Sequence, residues 1–113
     1  MKTIIAGSRN ITDFSIICEA VDQSGFTITE VVSGCARGVD TLGEQFAKIA
    51  QIPIKQFPAD WDTHGKSAGY IRNDEMAQYG DALVAIWDGK SRGTKHMIDL
   101  ANKYGMTVFT YKT

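Results

Sequence analysis

Short apolar runs alternate with longer stretches of helical periodicity along the whole chain. Each apolar run is bounded by glycine, proline or polar residues and has the length of a buried strand. The runs predict five strands, at 3–6, 30–33, 52–57, 82–87 and 106–111. Between them, apolar residues spaced three or four positions apart predict four helices, at about 13–24, 39–50, 67–79 and 94–104.

The first two helices carry their apolar residues on one face. Thr12 is the predicted N-cap of the first helix, and Gly25 is its predicted end. The apolar face of the first helix comprises Phe14, Ile17, Cys18 and Val21, and that of the second comprises Val39, Leu42, Phe46, Ile49 and Ala50. The stretch 58–65 has neither period, and we expect it to be irregular.

Alternating strands and helices predict an α/β fold in three layers with a five-stranded, mainly parallel sheet, because each crossover helix returns the chain to the same edge. The run 82–87 is the most hydrophobic, which predicts a strand at the centre of the sheet. The 113 residues contain no linker, repeat or low-complexity segment. We therefore expect residues 1–113 to form one domain.

The overall charge and composition argue against several classes of protein. Twelve basic and thirteen acidic side chains give a net charge of −1, whereas a protein that binds duplex nucleic acid usually has a basic surplus. No apolar run is long enough to span a bilayer, and the N-terminal residues do not form a signal peptide. The two cysteines and two histidines form no disulfide framework or metal pattern. We expect a cytoplasmic protein with no metal and no resident cofactor.

Three of the four arginines lie in glycine-containing turns that follow predicted strands. Where such a turn opens a helix, unpaired backbone N–H groups and the positive end of the helix dipole attract anions, and arginine adds a forked donor for phosphate oxygens. The carboxyl ends of parallel strands meet at one edge of the sheet, where such folds bind ligands. The pattern predicts a site for a phosphorylated small molecule. The turns are 7–9, 33–38 and 89–94, with Arg9, Arg37 and Arg92.

Several residues near these turns allow two interpretations. Asp40 either caps the second helix or binds a ligand hydroxyl, and Asp88 forms either a structural pair or a contact with a ribose. Trp61 lies in a polar loop, where an indole either stacks on a base or is simply exposed. Lys66 either reaches a phosphate or is solvated, and Cys35 is expected to be a small packed thiol.

Four motifs in a fixed order carry a family resemblance: SGCARGVD at 33–40, PADW at 58–61, RNxxM at 72–76 and WDGxSRGT at 87–94. Together they resemble the SLOG superfamily, the Rossmann-like group that contains the DprA/Smf proteins and the LOG phosphoribohydrolases. The resemblance covers nearly the whole chain. It implies a Rossmann-like fold and a nucleotide or nucleotide-derived ligand held by the turns after strands one, two and four. It also implies a homodimer or higher homo-oligomer.

One departure from the family's pattern concerns catalysis. The LOG hydrolases resemble PGGxGTxxE, in which the glutamate is catalytic, and alignment of Gly93 and Thr94 with this motif places Met97 at the glutamate position. Arg72 matches the family's catalytic arginine. Methionine cannot ionise or activate water, so the departure weakens the expectation of hydrolysis but not of binding. Three acidic residues are possible replacements, and spacing selects none of them: Asp74, Glu75 and Asp88.

Three functions follow from these observations. The first is binding of a nucleoside phosphate or an ADP-ribose- or NAD-like molecule, by a sensor or a sequestering protein. The second is an N-glycosidase that resembles the phosphoribohydrolases, with Arg72 as its catalytic residue. The third is binding of single-stranded DNA, which the near-neutral charge disfavours. The predicted ligand-binding residues are Gly7, Ser8, Arg9, Ser33, Gly34, Arg37, Gly38, Asp40, Asp60, Trp61, Arg72, Asn73, Asp88, Gly89, Ser91, Arg92, Gly93 and Thr94.

Overall fold

Strands and helices alternate in the computed structural model, which describes residues 1–113. The strands are β1 (Lys2–Gly7), β2 (Glu30–Ser33), β3 (Ile54–Gln56), β4 (Ala82–Trp87) and β5 (Thr107–Lys112). The helices are α1 (Phe14–Ser24), α2 (Val39–Ala50), the short α3 (Trp61–His64), α4 (Ala68–Tyr79) and α5 (Arg92–Lys103), with a 3₁₀ turn at Gly65–Ser67 before α4.

All five strands are parallel, in the order β3-β2-β1-β4-β5. The register pairs Ile4 of β1 with Val32 on one side and with Leu83 on the other. The predicted three-layer α/β, Rossmann-like fold is therefore confirmed. The prediction that 82–87 is the central strand is wrong: β1 is central and β4 lies beside it. Hydrophobicity could not separate the two strands, because both are buried on both faces.

Neighbouring residues within each inner strand point to opposite faces of the sheet, as the strand period requires. Ile5 and Val84 pack with residues of α1 and α2, such as Ile17 and Val39. The adjacent positions on the same strands face α4 and α5 and form a second apolar cluster. Its buried members are Ile4, Ala6, Val32, Met76, Ala77, Leu83, Ala85, Met97 and Ala101.

The apolar faces of the first two helices differ from the prediction. In α1 the buried residues are Ile17 and Ala20, whereas Cys18 is exposed. In α2 the buried stripe runs through Val39, Asp40, Gly43 and Ala47, which leaves Ile49 66% exposed and Ala50 exposed as well. Gly43 sets this rotation, because a Cβ there would lie only 3.1 Å from the side chain of Ile5. The missing side chain lets α2 lie close to β1.

Several element ends also differ from the prediction. The N-cap of α1 is Asp13, whose Oδ1 accepts a hydrogen bond of 2.9 Å from the Ser15 N–H, and not Thr12. The stretch 58–65, predicted to be irregular, contains the four-residue helix α3, which is too short to produce a period in the sequence. Strand β3 is shorter than predicted, and α5 begins two residues earlier, at Arg92.

A crevice between β1 and β4 follows from this strand order. The chain leaves β1 toward α1 on one face of the sheet and leaves β4 toward α5 on the other face. The connections separate at the carboxyl ends of these two strands, which is where open α/β sheets bind ligands. None of the helices has both the length and the apolar character needed to cross a membrane.

Two glycines in the predicted binding turns differ in what surrounds them, which gives a test of the packing. A Cβ on Gly7 would lie 2.2 Å from the Ile86 carbonyl oxygen, whereas one on Gly93 would have no atom within 4 Å. We expect Gly7→Ala to lower the free energy of unfolding by about 1–3 kcal/mol or more. Gly93→Ala, in the first turn of α5, should leave it unchanged or raise it by up to about 1 kcal/mol. Urea unfolding measures both, and equal midpoints for the two variants would contradict this packing.

Candidate functional site

A cavity of about 510 Å³ opens at the carboxyl ends of β1 and β4. It lies between the turn after β1, the turn after β4 and the N-terminal half of α4. We call it the main cavity. Its lining residues are Ala6, Gly7, Ser8, Arg9, Asn10, Ala36, Asp40, Trp61, Lys66, Gly69, Tyr70, Arg72, Asn73, Met76, Asp88, Ser91, Gly93, Thr94 and Met97.

The turn after β1 is held from two sides. The Ser8 N–H donates to the Ile86 carbonyl at 3.3 Å, and the Ser8 carbonyl accepts from the Val39 N–H at 3.3 Å. Gly38 makes the second contact possible, because a Cβ there would lie 2.5 Å from the carbonyl oxygens of Ser8 and Arg9. The Ser8 side chain is only 2% exposed, and its hydroxyl is buried without any hydrogen-bond partner. The turn therefore fixes an unsatisfied hydroxyl group beside the main cavity.

Asp40 is a buried carboxyl group in the cavity wall. Its Oδ2 accepts a hydrogen bond of 3.2 Å from the Ala36 N–H, which closes the loop before α2. Asp40 does not cap α2, because the N-cap position is Gly38. Burial raises the pKa of Asp40 to about 6, and the Ala36 hydrogen bond and the charge of Arg72 oppose this shift.

Arg72 links α4 to the turn after β2. Its Nη1 donates to the Gly34 carbonyl, and its Nε donates to Asn73 Oδ1 at 3.1 Å. A Cβ on Gly34 would lie 2.7 Å from Arg72 Nη1 and 2.8 Å from Asp40 Oδ2, so the glycine makes room for the guanidinium group. Burial lowers the pKa of Arg72, but a guanidinium group stays protonated at neutral pH. The site thus contains a fixed buried cation.

Asn73 extends this link to the turn after β4. Its Nδ2 donates to the Gly93 carbonyl at 3.3 Å and lies 3.1 Å from His96 Nδ1. His96 is half-buried, and burial lowers its pKa. Its ring also meets the Tyr70 ring edge-on, with the centroids 4.6 Å apart. The hydrogen bonds of Arg72 and Asn73 therefore connect α4 to the turn after β2 and to the turn after β4.

The turn after β4 is folded by its own side chains. Asp88 Oδ1 accepts from the Lys90 and Ser91 N–H groups, both at 2.8 Å, and these backbone bonds lower the pKa of Asp88. Ser91 is the N-cap of α5 and its Oγ accepts from the Thr94 N–H at 3.4 Å. The Trp87 indole donates to the Ser91 carbonyl at 3.1 Å. The amino end of α5 is thereby fixed beside the cavity.

Two exposed aromatic side chains form one wall of the main cavity. Trp61 is 52% exposed and Tyr70 is 48% exposed, although large aromatic rings are usually covered. Asp60 sets the position of Trp61, because its Oδ1 caps α3 by accepting from the Thr63 N–H at 3.1 Å. The two rings offer an apolar surface against which a planar group can stack.

The structure brings most of the predicted ligand-binding residues together. Those that line the main cavity are Gly7, Ser8, Arg9, Asp40, Trp61, Arg72, Asn73, Asp88, Ser91, Gly93 and Thr94. Two more, Gly34 and Arg37, line a smaller neighbouring cavity.

Five predicted residues line neither cavity, and four of them have a structural role. Ser33 Oγ donates to Glu44 at 2.6 Å, Gly38 admits the turn after β1, and Asp60 caps α3. Gly89 has a φ of +83°, a left-handed conformation that favours glycine. The fifth, Arg92, is an exposed residue at the first position of α5.

Sequence reasoning missed several lining residues and misjudged one thiol. Met76 follows Arg72 by four positions and Met97 follows Thr94 by three, so the helical period placed them on the same faces. Tyr70 had no such signal. Cys35, expected to be packed, is exposed. Partial desolvation of its thiol, together with the nearby carboxylates of Glu44 and Asp40, raises its pKa. Further missed lining residues are Ala6, Asn10, Ala36 and Gly69.

Cationic groups outnumber carboxyl groups around the main cavity. The cations are Arg9, Lys66 and Arg72, and the acids are Asp40 and Asp88. No group of three or more histidine, cysteine, aspartate or glutamate side chains lies close enough together to hold a metal ion. The lining therefore suits an organic anion with a planar apolar part.

Comparison with known proteins gives a family and one curated relative. The family model described as "YspA, cpYpsA-related SLOG family" matches residues 1–64. The Gene 61 protein of Mycobacterium phage D29 is 33% identical to the chain over 120 aligned positions, which cover 97% of this chain and 95% of that protein. No solved structure matches the chain significantly.

The buried carboxyl group of Asp40 predicts a dependence of stability on pH. Its pKa rises from an ordinary value of 3.8 to about 6 on folding, so the folded state holds the proton more tightly. The stabilising contribution is complete below pH 4 and is lost as the pH rises through about 6. The side chain of the Asp40→Asn variant cannot ionise, so the variant should not lose this contribution. The difference between its free energy of unfolding and that of the unmodified protein should therefore shift in favour of the variant by up to about 3 kcal/mol between pH 4 and pH 7. Urea titrations of both proteins at each pH measure this gain, and a constant difference would refute the shifted pKa.

Proposed function

The chain belongs to the YspA, cpYpsA-related SLOG family, and from this premise we propose that the main cavity binds a nucleotide or a nucleotide-derived small molecule. The protein acts as a sensor for this ligand or sequesters it. Family membership supports a nucleotide-related ligand in general terms, and the lining of the cavity supports the choice of a phosphorylated one with a planar base.

The unpartnered hydroxyl of Ser8 is the observation that carries the proposal. A buried polar group without a hydrogen bond costs about 1–3 kcal/mol, so folded proteins satisfy nearly all of them. Among the buried side-chain oxygen and nitrogen atoms of this chain, Ser8 Oγ is the one without a hydrogen-bond partner. Ser8 also lines the main cavity. Because Ser8 Oγ has almost no accessible surface, the side chain must rotate about its Cα–Cβ bond for a phosphoryl oxygen bound in the main cavity to supply the missing partner.

The surroundings of Ser8 suit a phosphoryl group. Arg9 lines the cavity next to it, and the amino end of α5 contributes Gly93 and Thr94 to the lining of the same cavity. The space at the Cα of Gly93 is open, so a ligand can approach the backbone there. Helix amino ends attract anions through their free N–H groups and the helix dipole.

The aromatic wall suits the base. Trp61 and Tyr70 keep about half of their surface exposed, and a stacked base would cover such rings favourably. Asp40 lies in the wall shared with Arg72 and offers an oxygen acceptor for a ribose hydroxyl. In this arrangement the phosphate lies at the turn after β1 and the base lies near α3.

Ser8→Ala tests the proposal, because binding and stability should change in opposite directions. Loss of a hydrogen bond to a charged phosphate should weaken binding of AMP and ADP-ribose about tenfold or more. Removal of an unsatisfied hydroxyl should at the same time raise the free energy of unfolding by roughly 1 kcal/mol. Isothermal titration calorimetry and urea unfolding measure the two effects.

Ser67→Ala is the matched control, since Ser67 is exposed and its hydroxyl makes no capping bond. This variant should bind both nucleotides as the unmodified protein does. Unchanged affinity in Ser8→Ala, with the cavity still able to bind AMP, would remove Ser8 from the site. Failure of the unmodified protein to bind any nucleotide would remove the proposed function.

Hydrolysis of an N-glycosidic bond is a second candidate, which one observation favours. Two carboxyl groups line the main cavity, and that of Asp40 is the one whose pKa is raised, to about 6. Asp40 also lies beside the fixed cation Arg72. Such a carboxyl group can take a proton from an attacking water. Of the acidic residues considered from the sequence, Asp74 is bound to Tyr104 and Gln78, and only Asp88 lines the cavity.

Product analysis separates binding from hydrolysis. Because the buried Met97 occupies the position of the family's catalytic glutamate, we expect AMP and NAD⁺ to remain intact during prolonged incubation with the protein. Liquid chromatography detects any free adenine or nicotinamide. If free base accumulates, and the release is lost in Asp40→Asn but retained in Lys48→Gln, the protein is a hydrolase and the pure binding proposal is wrong.

A further inference from the structure

A smaller cavity of about 340 Å³ adjoins the main cavity, and we propose that it is a second anion subsite. It would hold a second phosphoryl group of a ligand whose nucleotide part occupies the main cavity. The ligand class is then a nucleoside diphosphate with a further sugar or nucleoside attached. The assignment of the ligand class rests on the proposed function, whereas the anion subsite itself can be tested without it.

The two cavities share part of their walls. Arg9, Ala36, Trp61 and Arg72 line both of them. A ligand that lies along Trp61 and Arg9 can therefore extend from one cavity into the other. The remaining walls of the smaller cavity come from the loop after β2 and the loop before α3, at 34–37 and 58–59.

The charges around the smaller cavity are all positive. No aspartate or glutamate lines it. Three of the four arginines of the chain do, namely Arg9, Arg37 and Arg72. None of these guanidinium groups forms an ion pair, since the salt bridge of the chain joins Lys95 to Asp99 on α5. Asp40 offsets part of the charge of Arg72 and of Arg9, whereas the Arg37 side chain has neither an ion pair nor a hydrogen bond within the chain. Converging arginines without carboxylates favour a doubly charged oxygen anion.

The loop 34–37 contains a residue with a strained backbone conformation and a backbone N–H group without an acceptor in the chain. Cys35 has a φ of +63°, which is uncommon for a residue other than glycine. The Cys35 and Ala36 N–H groups donate to Ser33 Oγ and Asp40 Oδ2, whereas the next N–H group, at Arg37, has no acceptor within the chain. Strained backbone of this kind is concentrated at ligand sites. The free N–H beside the arginine side chains gives an anion a backbone donor as well.

The volumes suit a ligand in two parts. The larger space, with its aromatic wall and mixed charges, has room for a nucleoside and its first phosphate. The smaller space has no aromatic residue other than the shared Trp61 and is dominated by guanidinium groups. It matches a phosphoryl group and the sugar attached to it better than a second base.

Comparison of two ligands in one variant tests the subsite. AMP carries only the first phosphate, and ADP-ribose carries two phosphates and a second ribose. In the unmodified protein we expect ADP-ribose to bind at least tenfold more tightly than AMP. In Arg37→Gln this advantage should disappear while the affinity for AMP stays within twofold. Isothermal titration calorimetry measures the four affinities, and Lys48→Gln controls for the loss of one exposed positive charge on a neighbouring element.

The outcomes separate this inference from the proposed function. If ADP-ribose binds no more tightly than AMP, or if Arg37→Gln weakens both ligands equally, the second subsite does not exist although the nucleotide site stands. If neither nucleotide binds, the proposed function fails, and inorganic pyrophosphate then tests the subsite alone.

Bound pyrophosphate should change the fluorescence of Trp61, which borders both cavities, and Trp61→Phe distinguishes that signal from the signal of Trp87. We expect the fluorescence change to be lost in Arg37→Gln and retained in Ser8→Ala. A change that survives in Arg37→Gln, or no saturable change in the unmodified protein, would overturn the proposal.

Discussion

Three turns of the chain can meet at one point because three glycines lack a side chain. Gly7 lies against the backbone of β4, Gly38 lies against the carbonyl groups of Ser8 and Arg9, and Gly34 leaves room for Arg72. In each case a single added carbon would come within 2.8 Å of another atom. These contacts bring the ends of β1, β2 and β4 together, and every other feature of the site depends on that convergence.

The convergence also determines the electrostatics of the site. It buries Arg72 and Asp40 next to each other, without an ion pair between them, and it leaves the Ser8 hydroxyl without a partner. Buried polar groups of this kind reduce the stability of the folded protein. A phosphorylated ligand would satisfy Ser8 and would add negative charge where cations are in excess. Under the proposed function, the ligand would offset a cost that these buried groups impose on folding.

The fold could be predicted from the sequence because the strand and helix periods alternate without ambiguity. The sequence could not show which of the two apolar strands is central, since β1 and β4 are equally buried, nor could it show the rotation of α2 that Gly43 permits. It grouped the glycine turns correctly because parallel strands end at the same edge of the sheet. The motifs also predicted the SLOG family, which the family comparison confirms.

The individual roles of the turn residues were less accessible to prediction. A glycine required by packing, such as Gly38, and one open to a ligand, such as Gly93, look the same in a sequence, because the difference lies in contacts between distant residues. In the same way, Arg37 and Arg92 both lie in a glycine-containing turn after a strand, but of the two only Arg37 lines either the main cavity or the smaller one. Tyr70 was missed because α4 has no regular apolar period to show which of its faces lies beside the cavity.

The most direct test of the central claim is a map of amide chemical shifts by nuclear magnetic resonance as AMP is added. A single binding site at the converging turns predicts that the amides of Ser8, Arg9, Gly93 and Thr94 shift together and saturably, whereas those at the opposite edge of the sheet, such as Thr29 and Gly105, do not. Saturable shifts confined to another surface of the molecule, or none at all under conditions where AMP binds, would contradict it.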